Sequence, residues 1–444
     1  MNFASILEQS VECTCGRTHS VQIDTVEIDA GALKKVPTIL KRDGYMRPFL
    51  IADQKTYEVA GKQLVTYLEE EGINYSVFVY EDQELIPNEQ AVGKLLLNFN
   101  TECDVVIGIG SGTINDLSRF FSHQVGLRYY IVATAPSMDG YASTVAPLIR
   151  NSLKTTFECQ MPQAIIGDLE VISRAPKDMI AAGFGDVIGK YTCLADWKLS
   201  ALINGEYYCE TAARMTLDSL QRTIDLKEGI SNGDYEAIGE LMEALVLAGI
   251  AMSYVGNSRP ASGSEHHLSH FWEMRFIFEG KNPVLHGTKV GIATVLVARL
   301  YQYLKEEGLD AVAIEKITRP NMDDWKDEMN RVFLGAASEV ISLEERVGKN
   351  AASGHQARIA AMAKNWRDIE AVLNTVPEPQ VIISLLKSVQ APVFASQVGI
   401  SEELIQEAIL YAKEIRPRYT ILQLLWDLDV LPAYATRIVK ECDN

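Results

Sequence analysis

The chain has 444 residues, of which 47% are hydrophobic and 23% charged, the balance of a soluble globular protein with two or three domains. Its formal net charge of −18 argues against broad binding to nucleic acid or anionic membranes, although it leaves room for one local cationic pocket. No apolar run approaches the ~20 residues of a membrane helix, and the start lacks the basic region of a secretory signal. The seven thinly spread cysteines indicate reduced thiols in a cytoplasmic protein.

The first motif along the chain is Cys13-x-Cys15, followed by His19. It has two interpretations: a partial metal site, or a turn around Gly16 that carries two thiols. Structural zinc usually takes four ligands, and the sequence shows no fourth ligand nearby. The sequence therefore favours the turn.

Short apolar segments alternate with helical stretches in the first part of the chain. Residues 49–53, 75–80, 104–110 and 129–134 are short apolar runs with β-branched and aromatic residues, which is typical of buried strands, and the third run ends in glycine. The order strand, helix, strand predicts a Rossmann-like α/β domain with a parallel sheet at residues 1–175.

The pattern changes to helical periodicity near Pro176, with almost no strand signal beyond it. The predicted helices lie at 178–202, 208–227, 233–255, 288–307, 367–375 and 401–414. We therefore expect an all-helical domain at residues 176–444. Clefts between domains are favoured ligand sites, so the active site is expected there.

A glycine-rich turn, Gly108-Ile-Gly110-Ser111-Gly112-Thr113, joins a predicted strand to a helix. Glycine lets the backbone approach a ligand closely, and the free N–H groups of a helix start can hold a phosphate. Ser111 or Thr113 can cap that helix. The spacing differs from the G-x-G-x-x-G dinucleotide fingerprint. A tight turn without a ligand therefore stays open, while the strand–turn–helix context favours the phosphate site.

Two further polar features follow predicted strands. Asp53 can accept hydrogen bonds from a cofactor ribose, which would favour NAD over NADP, or it can serve as a helix N-cap or a solvated carboxylate. The loop at 134–143 carries Ser137 and Asp139, and it is either a polar turn or a second wall of a cofactor and substrate site. Its place after a parallel strand favours the second interpretation.

Four of the seven histidines, His266, His267, His270 and His286, fall within 21 residues. His266 and His270 are four residues apart, so a helix presents both imidazoles on one face, with Ser264 as a plausible N-cap. A histidine-rich surface helix or a hydrogen-bonded core histidine would explain one such residue. The clustering favours a metal site, because neutral imidazole is a common ligand of Zn, Ni and Fe.

A candidate third ligand is Asp186, in the segment Gly183-Phe-Gly185-Asp186 near the start of the predicted helical domain. The alternative is a helix-terminal aspartate favoured by the helix dipole. Two histidines, one carboxylate and a water would suit a Lewis-acid site with an open position.

Together these motifs resemble the metal-dependent, iron-containing (group III) alcohol dehydrogenases, and within them the sn-glycerol-1-phosphate dehydrogenases. The resemblance covers nearly the whole chain. The stretches that carry it are GIGSGTINDLSR (108–119), TAPSMDGYAS (134–143), GFGDVIGK (183–190), SGSEHHLSH (262–270), LHGTKVGIAT (285–294) and the C-terminal 400–428.

The resemblance implies roles for individual residues. The cofactor pyrophosphate would be held by Gly110, Ser111, Gly112, Thr113 and Ile114. The nicotinamide side would be lined by Thr134, Ser137 and Ser143. The metal ligands would be Asp186, His266 and His286. The catalytic and substrate contacts would be Asp139, Asp186 and His270, with His270 beside the substrate and not on the ion.

Two departures from related families matter. Iron-type relatives carry a further histidine where this chain has Lys190, which favours a three-ligand Zn or Ni site over a four-ligand iron site. Dehydroquinate synthases carry glutamate at the position of Asp186, which argues against that activity. Lys190 itself is either a contact for a substrate phosphate or a solvated helix lysine.

The implied reaction is the reversible reduction of dihydroxyacetone phosphate to sn-glycerol 1-phosphate with NAD(H) or NADP(H) and one divalent metal ion. The resemblance also implies a homodimer in phospholipid biosynthesis. From the cysteines, the net charge and the short apolar runs we expect a cytoplasmic protein without nucleic-acid partners or membrane insertion. Two alternatives stay open: a glycerol-type polyol dehydrogenase with the same metal triad, and a catalytically inactive nucleotide-binding protein.

Overall fold

The computed structural model describes residues 3–7, 11–82, 84–150 and 153–441. The strands are β1 Val11–Glu12, β2 Thr18–His19, β3 Thr25–Asp29, β4 Pro48–Asp53, β5 Ser76–Tyr80, β6 Val105–Gly110, β7 Tyr129–Ala133, β8 Val145–Arg150, β9 Leu153–Glu158 and β10 Ala164–Asp168.

The helices up to residue 255 are α1 Phe3–Leu7, α2 Ala32–Asp43, α3 Gln54–Thr56, α4 Lys62–Glu70, α5 Glu89–Asn98, α6 Gly112–Val125, α7 Leu169–Ile172, α8 Lys177–Ile188, α9 Lys190–Asn204, α10 Glu210–Asp225, α11 Lys227–Asn232 and α12 Tyr235–Val255. The later helices are α13 Ser264–Glu279, α14 His286–Glu307, α15 Ala311–Ile314, α16 Trp325–Phe333, α17 Ala337–Val347, α18 Ala352–Leu373, α19 Pro379–Ser388, α20 Glu402–Tyr411, α21 Ile421–Asp427 and α22 Leu431–Glu441.

Six strands form a parallel sheet in the order β3-β10-β7-β6-β4-β5. The four predicted strands correspond to β4, β5, β6 and β7, so the predicted parallel α/β sheet is confirmed. All six residues of β6 are buried, as a strand covered on both faces requires. The edge strand β3, with the sequence TVEID, is only half-buried, and its polar pattern gave no strand signal.

The chain divides into two compact units, Met1–Val187 with Arg214–Ser258, and Ile188–Ala213 with Arg259–Asn444. These limits differ from the expected boundary at residue 175. The reason is helix α12, which packs on β3, on α7 and on the short 3₁₀ turn Gly140–Ala142 and so joins the unit that contains the sheet.

Helix α12 is also the one described helix that is long and apolar enough to cross a membrane. However, 78% of its most apolar window is buried inside the protein. Gly249 on this helix lies so close to the 3₁₀ turn that a Cβ atom would come within 2.6 Å of Ala142. The helix is therefore a core element of the first unit.

The second unit contains no strand among its described residues, which agrees with the expected all-helical C-terminal region. Gly189 interrupts the helix that was predicted over 178–202, giving α8 and α9. The predicted stretch 367–375 lies mostly within the longer helix α18, whose backbone leaves the helical region at Asn365.

A buried charged network connects the segment before α18 with the segment after α20. Glu414 is 3% exposed, contacts the Lys413 ammonium, and accepts two hydrogen bonds of 3.0 Å from the Asn350 amide. The Lys349 ammonium lies 3.5 Å from the same carboxylate. Burial alone would raise the pKa of Glu414, but Lys413 and Lys349 hold it at about 2.

We predict that Glu414→Gln lowers the free energy of unfolding by about 3 kcal/mol at neutral pH, because it leaves buried ammonium groups without their carboxylate. The folded-state pKa lies below the ordinary value of 4.5. The carboxylate's contribution is therefore complete above that value and is lost as the pH falls from 4.5 towards 2. Urea unfolding of wild type and variant at neutral and acidic pH measures the difference. The control is Glu370→Gln, at an exposed position of α18. Equal stability of wild type and Glu414→Gln at neutral pH would contradict the prediction.

Candidate active site

The glycine-rich turn lies between β6 and α6, where glycine is required by close packing. A Cβ atom on Gly110 would lie 2.5 Å from the Cβ of Ile114, and one on Gly108 would lie 2.5 Å from the Ser118 hydroxyl oxygen. The strand end and the helix start can therefore approach each other only without side chains at these positions. Ile114 is 1% exposed, so its side chain is buried in the core. The group that it can offer to a ligand is its backbone N–H, which lies in the first turn of α6.

Ser111 is the N-cap residue of α6, but its side chain makes no capping hydrogen bond. Its hydroxyl instead forms a hydrogen bond of 2.5 Å with the hydroxyl of Ser137. The structure therefore brings together the glycine-rich turn and the loop after β7, as expected for two walls of one site at the carboxyl ends of parallel strands.

The loop at 134–143 is held by Arg119, a residue of α6 that the sequence reasoning did not single out. The fully buried guanidinium donates to the carbonyl oxygens of Gly140, Tyr141 (3.1 Å) and Val145 (2.8 Å). It also pairs with Asp116 at 2.9 Å and donates to the hydroxyl of a tyrosine on β7. Three carbonyl groups, two in the loop and one at the start of β8, thus receive hydrogen bonds from one side chain.

Three polar residues of this loop are buried. Thr134, Ser137 and Asp139 are 7%, 6% and 8% exposed. The hydroxyl of Ser143 accepts a hydrogen bond of 3.1 Å from the Val145 N–H, so it also has a local role at the start of β8. Contacts of these residues with a cofactor or substrate stay predictions.

Asp53 has the N-cap role that was considered as an alternative. Its carboxylate accepts a hydrogen bond of 2.8 Å from the Thr56 N–H, and the Thr56 hydroxyl accepts one of 3.0 Å from the Asp53 N–H. This reciprocal capping box starts α3 directly after β4. It accounts for an aspartate at this position without reference to a ribose.

Asp186 lies on α8 and is fully buried. One of its carboxylate oxygens accepts a hydrogen bond of 3.0 Å from the Asp139 N–H. Gly183 explains how α8 comes so close to the loop, since a Cβ atom there would lie 1.8 Å from the Pro136 carbonyl oxygen. In the motif Gly183-x-x-Asp186, the glycine therefore lets α8 pack closely against the loop, and the aspartate about one turn later places its carboxylate against the same loop.

In the second unit, α13 and α14 bring three of the clustered histidines together. The ring centroids of His266 and His286 are 5.2 Å apart, those of His270 and His286 are 5.6 Å apart, and those of His266 and His270 are 6.2 Å apart. His270 and His286 also form, with Glu273, a group whose potential ligand atoms lie within 4.8 Å of one another. The predicted clustering of imidazoles is thus present in the folded unit.

The carboxylate of Glu265 fixes the imidazole of His266. Its contact with Nδ1 of His266 is 2.7 Å, and it also accepts hydrogen bonds of 2.7 Å from the Gly263 N–H and from the Thr192 hydroxyl. Burial would raise the pKa of Glu265, but His266 and these donors lower it below its ordinary value. The sequence reasoning passed over Glu265, although a carboxylate bound to a ligand histidine is a common feature of metal sites.

The start of α13 differs from the prediction. Gly263 is the N-cap, and Ser264, predicted as the cap, is the first helical residue. The backbone N–H and the hydroxyl of Ser264 donate to the carboxylate of Asp196 at 2.7 and 2.6 Å. A long-range carboxylate therefore replaces the local cap. Asp196 is fully buried, and burial followed by the nearby Glu265 raises its pKa to about 6.

His267 has a different environment from its neighbours. It is 1% exposed, and its pKa lies well below the ordinary 6.5 because burial disfavours the cation and because Arg418 and Lys349 repel it. Burial, together with Arg259 and Arg416, also lowers the pKa of Arg418 to about 10. His267 is therefore neutral, and the second unit contains a group of cations next to the histidine helix.

Lys190 is 1% exposed, so it is not the solvated helix lysine that was considered. Its ammonium donates a hydrogen bond of 3.0 Å to the Ala261 carbonyl in the loop that precedes α13. A contact of Lys190 with a substrate phosphate stays a prediction.

Comparisons with known proteins agree with these features. Residues 27–176 match the model of the iron-containing alcohol dehydrogenase family. The chain is 34% identical over 418 residues to the NAD(P)+-dependent glycerol-1-phosphate dehydrogenase of Halalkalibacterium halodurans, covering 93% of this chain and 95% of that protein. It is 30% identical over 399 residues to the enzyme of the same name from Pyrococcus furiosus, covering 89% of this chain and 92% of that protein.

Solved structures share the fold at low sequence identity. The glycerol dehydrogenase of Schizosaccharomyces pombe superposes with a TM-score of 0.59 at 15% identity, covering 94% of this chain and 91% of that chain. An alcohol dehydrogenase from Oenococcus oeni gives a TM-score of 0.59 at 16% identity, covering 95% of this chain and 98% of that chain. By its extended similarity to the curated relatives, the chain belongs to the glycerol-1-phosphate dehydrogenases of the iron-containing alcohol dehydrogenase family.

Proposed function

We propose that this protein interconverts dihydroxyacetone phosphate and sn-glycerol 1-phosphate with a nicotinamide cofactor and a divalent metal ion. The observation that carries the proposal is the group formed by His266, His270 and His286, with ring centroids no more than 6.2 Å apart. The names of the relatives support the substrate, since they are NAD(P)+-dependent glycerol-1-phosphate dehydrogenases.

The proposed metal ligands are Asp186, His266 and His286. Glu265 engages Nδ1 of His266, which makes Nε2 the ligand atom and fixes the ring orientation. Asp186 offers a buried carboxylate, a costly arrangement unless hydrogen bonds or a cation compensate for it. Nitrogen and oxygen donors of this kind suit Zn or Ni. Lys190, at the position of the further histidine in iron-type relatives, donates to a carbonyl group and adds no ligand.

The cofactor, NAD(H) or NADP(H), is proposed to bind along the glycine-rich turn. The first N–H groups of α6 would hold its pyrophosphate, at Gly112, Thr113 and Ile114, next to Gly110 and Ser111. The loop residues Thr134, Ser137 and Ser143 would line the nicotinamide. A preference for NAD would require Asp53 to receive a ribose hydroxyl in addition to its capping hydrogen bond from Thr56.

When bound, the metal supplies a Lewis acid that polarises the C2 carbonyl, and the nicotinamide supplies the hydride. The chain's own residues orient the substrate and move the proton. Asp139 and Asp186 would contact the substrate, and the hydrogen bond from the Asp139 N–H to the Asp186 carboxylate holds the loop backbone next to that carboxylate. His270, whose side chain is 26% exposed, would deliver a proton to the C2 oxygen and recover it from solvent.

The substrate phosphate is proposed to bind at Arg416 and Arg418. Within the part of the chain that the structure describes, Arg418 makes neither a hydrogen bond nor an ion pair, whereas nearby Arg259 is paired with Glu206 at 2.5 Å. An unneutralised guanidinium beside the histidine helix is suited to a phosphate. This feature favours a phosphorylated substrate over the glycerol of a polyol dehydrogenase.

We further propose a cytoplasmic homodimer, since the family resemblance suggests one. The acidic balance of the chain supports the absence of a nucleic-acid partner. The buried position of α12 supports the absence of membrane insertion.

We predict that purified wild type contains a divalent metal at the proposed catalytic site, and that His266→Ala loses it. NAD(P)H oxidation with dihydroxyacetone phosphate should fall at least about 100-fold, because the polarising ion is lost.

Glu265→Gln should weaken metal affinity by about 10- to 100-fold, because the ring of His266 is no longer oriented. Metal analysis combined with the kinetic assay measures both effects.

The matched control for these variants is His123→Ala, since His123 lies exposed on α6 and outside the cluster. It should retain both metal and activity. Full activity of His266→Ala after exhaustive treatment with a chelator would overturn the proposed metal site.

We predict that Arg418→Gln raises the KM for dihydroxyacetone phosphate by about 10- to 100-fold, which is the worth of one charge-assisted contact. Turnover of unphosphorylated dihydroxyacetone, which wild type should use poorly, should change little. The control is Arg367→Gln, an exposed arginine on α18. An unchanged KM would exclude Arg418 as the phosphate contact. Equal wild-type efficiency with both substrates would instead identify a polyol dehydrogenase.

A further inference from the structure

The N-terminal hairpin places Cys13, Cys15 and His19 around one point. Strands β1 and β2 pair in an antiparallel fashion, with Val11 opposite His19. The tip is closed by two backbone hydrogen bonds, from the Cys13 N–H to the Arg17 carbonyl at 3.0 Å and from the Gly16 N–H to the Cys13 carbonyl at 2.9 Å. Gly16 has a φ of +83°, a left-handed conformation that glycine adopts without strain.

The three side chains converge within metal-binding distance. Their potential ligand atoms all lie within 4.8 Å of one another, and the sulfur of Cys15 is 3.3 Å from Nε2 of His19. Cysteine thiolates and histidine imidazoles are the ligand types of structural zinc sites.

The surroundings of His19 fix which nitrogen faces the thiols. The ring is 1% exposed and stacks on Tyr254 with a centroid distance of 4.8 Å and an interplanar angle of 6°. Nδ1 lies 2.9 Å from the Tyr254 carbonyl oxygen and must carry the proton that this hydrogen bond needs. Nε2 therefore presents its lone pair towards the Cys15 sulfur, the tautomer and orientation of a metal-bound histidine.

We propose that Cys13, Cys15 and His19 bind a structural zinc ion, separate from the proposed catalytic metal. A fourth ligand, a further thiolate or a water, would complete the tetrahedron. The sequence favoured a simple turn because it showed only three nearby ligands, two cysteines and one histidine. The structure adds their convergence and the hydrogen bond that orients His19. Because His19 and Arg17 contact the carbonyl groups of Tyr254 and Val255, the ion would fasten the N-terminal hairpin to the end of α12.

The test measures the number of metal ions bound per chain in wild type that is purified under reducing conditions, so that both proposed sites are intact. We expect two divalent ions per chain. Replacement by Co²⁺ should give the near-ultraviolet sulfur-to-metal charge-transfer band of thiolate ligation. His266→Ala should lose one ion and keep the band, whereas Cys15→Ser should lose the other ion together with the band. The midpoint of thermal unfolding of Cys15→Ser should fall by several degrees.

The control is Cys159→Ser, a partly buried thiol whose pKa burial raises to about 11 and which is therefore a poor ligand. It should retain both ions and the band. Absence of a thiolate band in Co²⁺-loaded wild type would overturn the zinc proposal, even if Cys15→Ser fails to fold, since that measurement needs no variant. The proposed activity would survive that result, because it depends on the metal lost in His266→Ala.

Discussion

Two buried carboxylates, Asp196 and Glu265, determine where the histidines of α13 lie. Asp196 holds the backbone and hydroxyl of Ser264 and also accepts hydrogen bonds of 2.7 Å from the Tyr301 hydroxyl and the Ile421 N–H. Glu265 connects the Gly263 N–H, Thr192 and His266. Both carboxylates are fully buried, so each depends on the donors around it. The first turn of α13 is thus held by hydrogen bonds to Asp196 and Thr192 of α9.

In the first unit, close packing also depends on glycine residues at two contacts between elements. Gly110 allows α6 to begin directly against β6, and Gly183 allows α8 to contact the loop after β7. In both places the closest atoms belong to a neighbouring element that a Cβ atom would displace, at 2.5 Å from Ile114 and at 1.8 Å from the Pro136 carbonyl. The backbone N–H groups at the start of α6 can therefore come close to a ligand, and the Asp186 carboxylate can come close to the loop at 134–143.

Sequence patterns were sufficient to predict strands that are uniformly buried and a site where rare residues cluster. The apolar runs of β4, β6 and β7 predicted the parallel sheet, and the spacing of His266 and His270 predicted a shared helix face that the ring distance of 6.2 Å bears out. Strand β3 escaped detection because an edge strand with the sequence TVEID has no apolar run.

The supporting residues of the site could not be found in the same way. Asp196 and Ser264 are 68 positions apart, and Thr192 and Glu265 are 73 positions apart, so only the folded chain shows their contacts. Ser264 was mistaken for a cap because local rules consider only the nearest residues. Arg119 lies in a helix of ordinary polarity, and nothing in its neighbourhood in the sequence indicates a buried guanidinium.

The arginine that holds the loop at 134–143 has a consequence for the thermodynamics of ligand binding. Since Arg119 already binds the carbonyl groups of Gly140, Tyr141 and Val145, the loop loses little conformational entropy when a ligand arrives. Ligand contacts made by this loop therefore translate into affinity with only a small ordering penalty. We therefore expect rigid, lock-and-key recognition at this loop, with nearly the same loop backbone in the free and the bound protein.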